Sequence, residues 1–139
     1  MPTLRINPLK LSNKSSIRAR RPIDDKIDIR SKVYNSPEWH SIRKSYMMEH
    51  PFDEVALIDK KYIPANLVHH KNAFANYTRE NVLTVAYDTS NLCSLSNKTH
   101  NLFHGIMESM KLQVNGQSPQ EIYDIIVIYC KKHNKALPW

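Results

Sequence analysis

Four of the chain's seven histidines stand in two tight groups, His69-His70 and His100 with His104, and this grouping constrains the fold more than any other feature. Residues four apart on a helix share one face, so His100 and His104 can present two imidazoles to a single point. Adjacent side chains on a strand diverge, so His69 and His70 must point to opposite faces unless the strand ends or twists there. If the two groups act together, a short strand has to pack against a helix while the intervening chain folds back on itself. A solvated helix surface is the plainer account of His100 and His104 taken alone, and the second pair makes it the poorer account of all four.

Start and stop signals place elements around these segments. Ser36-Pro37 opens a helix, because the serine oxygen can accept from an orphan amide and proline's fixed φ suits the first helical position. Trp39, Ile42 and Tyr46 share one face of it, and Pro51 ends it near His50. Val55 to Ile58 and Leu67 to Lys71 read as short extended runs around a turn at Asp59 to Lys61, with Pro64 interrupting any continuous ladder. Between Asn72 and Ser90 the spacing of Val82, Leu83, Val85 and Tyr87 fits a short helix or a strand equally well. Ser96 caps a helix from Asn97 to about Lys111, with Leu102, Ile106, Met107 and Met110 at helical spacing. Asn115-Gly116 breaks it, and Ser118-Pro119-Gln120-Glu121 combines a capping box with proline at the first position of a last helix, 118–133. Ile122, Ile125, Ile126 and Tyr129 form the buried stripe of that helix, while Lys131 and Lys132 complement its dipole.

A length of 139 residues suits one compact domain with its own core. Residues 1–33 read as a basic arm, with scattered aliphatics that follow neither period, and residues 34–139 as the domain proper. The absence of acids from the first 21 residues is shared with organelle transit peptides, but Pro2, Pro8 and the poor periodicity argue against one. Lys and Arg number 20 against 13 Asp and Glu, a formal charge of +7, which favours an anionic partner such as nucleic acid or serves solubility alone. Cys93 and Cys130 are too distant and too few for a disulfide framework or a four-cysteine zinc site. Without an apolar run of membrane length or a secretory core, the expectation is a soluble protein of the cytoplasm with no membrane partner. No glycine-rich phosphate loop is present, only two glycines occurring in the chain.

The simplest division of labour makes His69, His100 and His104 ligands of one cation and leaves His70, near neutrality in pKa, to take a proton from an attacking water. Three imidazoles leave coordination positions open, and an open cation beside a base is what phosphodiester hydrolysis requires. Imidazole ligands lean toward later transition metals while phosphodiester chemistry also uses harder ions, so Mg²⁺, Mn²⁺, Ni²⁺ and Zn²⁺ all remain candidates. Arg43, Lys71, Lys98 and Arg79 are available for phosphate, though solvated charge is their commoner role. His40, His50 and His133 lie outside the pattern and read as ordinary surface or partly buried residues.

The run Leu67-Val68-His69-His70, followed by Ser90-Asn91-Leu92 and then by Lys98-Thr99-His100-Asn101-Leu102-Phe103-His104-Gly105, resembles the His-Asn-His (HNH) endonucleases of the ββα-metal fold. Upstream, Tyr34-Asn35-Ser36-Pro37-Glu38-Trp39 through Arg43 is similar to the segment preceding the nuclease core in small phage-type members, so the resemblance covers about Tyr34 to Gly105. It implies an α+β fold with a ββα-metal core and flanking helices, and a metal-dependent endonuclease acting on nucleic acid, double-stranded DNA foremost, in a bacterial or phage-infected cell. His70 matches the general base and Asn91 the central asparagine that holds the loop and orients that base. His69 stands where many members have aspartate, and a histidine there resembles the bacterial DNase toxins that bind metal through three imidazoles; His100 and His104 match the remaining ligands. Two CxxC pairs common in small members are absent, with Asp53-Glu54-Val55-Ala56 and Ser96-Asn97-Lys98-Thr99 in their places. Packing by Phe52, Val55, Leu57 and Leu95 is expected to replace the structural zinc. The rival readings are a non-catalytic nucleic-acid-binding protein that retains this fold and a structural metal module serving protein contacts.

Overall fold

The computed structural model describes residues 29–72, 78 and 80–139, in which helices surround one small antiparallel sheet, an α+β arrangement. Helix α1 spans Pro37–Glu49, β1 Leu67–His70, α2 Val82–Tyr87, β2 Leu92–Leu95, α3 Asn97–Ser109 and α4 Pro119–Lys132. Most of the basic arm lies outside the described residues. Residues 29–34 are helical, and Val33 is fully buried in a cluster shared with Trp39 and Val82.

The helix starts follow from their caps. Ser36 accepts from the Trp39 amide, Ser96 from the Thr99 amide, and Ser118 exchanges hydrogen bonds with Glu121 in a complete capping box. The box satisfies two orphan donors of α4, so Ser118→Ala is expected to cost about 1 kcal/mol. A thermal melt about 3–4 °C lower would record it, and an unchanged melt would mean that α4 holds through its packing alone.

The second sheet strand comes from an unexpected place. Residues 55–58 are not extended but form a 3₁₀ turn, Ala56–Asp59, closed by Lys60 in the left-handed region at φ 58°. Asp53 dictates this by accepting from the Val55 and Ala56 amides, both at 2.9 Å, which holds the chain in a turn and removes those donors from any ladder. β1 therefore pairs with β2, in the register Leu67 with Leu95, Val68 with Ser94, His69 with Cys93 and His70 with Leu92. The ambiguous stretch before β2 resolves into α2 and a 3₁₀ turn, Thr89–Asn91.

Residues paired across the sheet share a face, so the two faces feed two cores. Cys93 and Leu95 join Val55, Phe103, Ile106, Met107, Ile122, Ile126 and Cys130 beneath α3 and α4. Val68 and Leu92 join Val33, Trp39, Tyr46, Val82 and Ala86 beneath α1 and α2. Both faces are covered, which explains why neither strand shows polar alternation. On α3 the buried stripe is Phe103, Ile106 and Met107, whereas Met110, expected in it, is 56% exposed. On α4, Cys130 is buried while Ile125 and Tyr129 lie at the edge.

Packing is only part of what holds residues 53–56 against residues 94–96. Val55 and Leu95 are fully buried as expected, and Phe52 and Leu57 are only half-buried. Asp53, 0% exposed, joins the two stretches directly, since its second oxygen accepts from the Ser96 amide at 3.0 Å. Glu54 adds a parallel tie by accepting from the Ser94 amide at 2.6 Å and from the Tyr46 hydroxyl at 2.7 Å.

Candidate metal centre

Strand alternation separates the two adjacent histidines. His69 turns toward α3, its ring 5.4 Å from that of His100 and 5.3 Å from that of His104, centroid to centroid. One ligand atom from each of the three residues can be chosen so that all lie within 4.8 Å of one another. Nitrogens bound to one ion at about 2.1 Å sit roughly 3.4 Å apart, so small ring rotations close the remaining gap. His69 comes from β1 and the other two from successive turns of α3, and the buried Phe103 meets the rings of His69 and His104 edge-on.

The electrostatics of the cluster suit a cation ligand set better than a hydrogen-bonded one. Nε2 of His69 and Nε2 of His104 are buried and have no hydrogen-bond partner among the described residues. Leaving such atoms unsatisfied costs about 1–3 kcal/mol each, a cost that a coordinated ion would remove. Burial, and then the neighbouring His100 and His104, push the His69 pKa down to about 3. Burial likewise lowers His100 and His104. All three are therefore neutral at pH 7, the form in which imidazole binds metals. Among the described residues no carboxylate completes the group.

These shifts give a stability prediction with a definite sign. Unfolded histidine takes up a proton near 6.5 whereas folded His69 resists until about 3, so the unfolded chain binds more protons between those values. Metal-free protein is therefore fully stable above pH 6.5 and weakens as the pH falls through it, by about 2 kcal/mol at pH 5 from His69 alone. Urea midpoints in chelator at pH 7.5 and pH 5 measure this; equal midpoints would contradict the burial of the cluster.

His70 occupies the other face. Its ring stacks on Trp39 with centroids 4.6 Å apart and planes at 28°, and its Nε2 lies 2.9 Å from the Ala86 carbonyl oxygen. A carbonyl can only accept, so in neutral His70 the hydrogen resides on Nε2 and Nδ1 is the basic nitrogen. Burial lowers its pKa while the Ala86 bond raises it, with burial the larger effect. The side chain is 6% exposed, and this burial holds its pKa below the near-neutral value expected.

Asn91 ties the segment after His70 to the segment before β2. Its carbonyl accepts from the Lys71 amide at 2.7 Å, its Oδ1 from the Asn72 amide at 2.9 Å, and its Nδ2 donates to the Val85 carbonyl at 3.3 Å. Val85 directly precedes the residue whose carbonyl meets His70.

The expected phosphate contacts do not converge. Arg43 donates to the Asn66 carbonyl at 3.3 Å, and exposed Lys98 lies near the same residue, in a hollow of about 460 Å³ shared with Asn66, Asn97 and Pro138. Lys71 lines a second hollow of about 450 Å³ with Tyr46, Glu49, His50 and Glu54. Arg79 lies outside the described residues, while His40, His50 and His133 are exposed. Sequence reasoning missed Trp39 and Ala86 as neighbours of His70, and Phe103 as the floor of the cluster. Helical spacing from Phe103 to Ile106 and Met107 could have revealed the last, whereas no local signal marks Ala86.

Fold and site together define an α+β protein with three histidines close enough to hold a metal ion. Among the described residues, no helix is long and apolar enough to cross a membrane. Comparison with protein-family models, curated proteins and solved structures finds no match.

Proposed function

We propose that the chain is a metal-dependent endonuclease of the His-Asn-His type that hydrolyses phosphodiester bonds in double-stranded DNA. The observation that carries this reading is the meeting of His69 from β1 with His100 and His104 from α3, while His70 stands on the opposite strand face. The antiparallel pair β1 and β2 followed by α3, with α2 inserted between the strands, supports the ββα-metal core expected from the resemblance. A divalent cation held by His69, His100 and His104 would supply positive charge against the charge developing on the scissile phosphate and the leaving oxygen. Mg²⁺, Mn²⁺, Ni²⁺ and Zn²⁺ are its candidates, and the all-imidazole ligand set favours the later ions for tight binding.

His70 takes the proton of the attacking water at Nδ1, the nitrogen that the Ala86 bond leaves basic, once substrate binding admits water to this buried atom. Asn91 keeps residues 71 and 72 against α2, so that strand end and carbonyl stay in register. Lys71, Lys98 and Arg43 add sequence-independent attraction for the phosphate backbone.

Incubating supercoiled plasmid with purified protein and each metal in turn tests the reading. Nicking that requires metal and disappears with chelator is the expected result, and His100→Ala should weaken metal binding and slow nicking at least tenfold. Protein that retards DNA in a gel but never nicks it, whatever the metal, would establish the binding reading in its place.

A further inference from the structure

We infer that Trp39 is a positioning residue for the general base, its indole face fixing the plane in which the His70 imidazole meets the attacking water. This inference rests on the nuclease reading of the same site. The Ala86 hydrogen bond fixes the Nε2 atom of His70, but that bond by itself leaves the ring plane free to tilt about it. The stack at 4.6 Å and 28° removes that freedom, because turning the imidazole would drive its edge into the indole. Trp39 can act as a fixed wall, being 3% exposed and packed among Val33, Tyr46, Val82 and Leu92. Its own position is set from the sequence upward. It is the residue whose amide bonds the Ser36 cap at 3.1 Å, and the Ser36 hydroxyl lies 2.6 Å from the Tyr87 hydroxyl at the end of α2. The start of α1 is thereby tied to the helix that carries the Ala86 carbonyl, so indole and carbonyl hold the ring from two sides as one unit. Tyr34 completes the enclosure, its ring edge-on to both Trp39 and His70. A base held this way lies in one geometry before substrate arrives, where a displacement of about 1 Å can cost 10²-fold in rate.

The test compares wild type with Trp39→Leu and Trp39→Phe in plasmid nicking under single turnover, well below their melting temperatures. Trp39→Leu should cut at least tenfold more slowly at saturating protein with less than about a twofold change in the concentration for half-saturation, and Trp39→Phe, which keeps an aromatic face, should recover most of the rate. A purely structural tryptophan would instead leave the saturating rate of the folded fraction unchanged. Equal rates in wild type and Trp39→Leu, or equal slowing in both variants, overturns the inference. Ring-current shifts of the His70 protons in wild-type NMR spectra provide a second measurement that needs no variant, and their absence overturns it as well. Wild type that never nicks would refute the nuclease reading itself, whereas active wild type beside an equally active Trp39→Leu refutes only the role of Trp39.

Discussion

His70→Ala is expected to lower metal-dependent nicking by about 10²–10⁴-fold, the range that a positioned proton acceptor contributes. β1 sends His69 and His70 to different faces, so in the proposed reaction metal holding and proton transfer fall to separate residues. The variant should therefore bind metal as wild type does, measured by competition with a colorimetric chelator. His69→Ala should lose both functions, since it removes the ligand that faces the α3 pair. His70 is also a buried partner of Trp39, so His70→Asn, which retains much of the volume, separates lost chemistry from lost packing. If both His70 variants nick within threefold of wild type, His70 has no part in the reaction.

Asp53→Ala should cost about 3–5 kcal/mol, the largest stability loss expected from any single polar substitution in this chain. Three backbone amides, those of Val55, Ala56 and Ser96, donate to this one carboxylate in a fully buried setting. Alanine would strand all three donors without water to replace the bonds. For a domain of this size the melting temperature should drop by roughly 10–15 °C. Asp53→Asn keeps one acceptor oxygen and should lose about half as much. The effect reaches the metal centre, because Ser96 is the N-cap of α3 and the same helix carries His100 and His104. A chain that melts like wild type after Asp53→Ala would show that apolar packing alone holds the two stretches together.

The sequence by itself determined the features that arise within a few residues. Serine followed by proline or by a capping glutamate placed the starts of α1 and α4, and the four-residue spacing of His100 and His104 placed both on one helix face. Strand parity likewise pointed His69 and His70 to opposite faces, because adjacent side chains on extended backbone diverge. Only the tertiary structure decided what each of them diverges toward. The partner of β1 is β2 because the Asp53 carboxylate captures the amides that residues 55 and 56 would have offered a ladder. The Ala86 carbonyl meets His70 only once α2 has packed, since a backbone carbonyl carries no mark of its destination in the sequence. Long-range pairing depends on which buried polar group finds its partner at least cost, and that is a property of the assembled core.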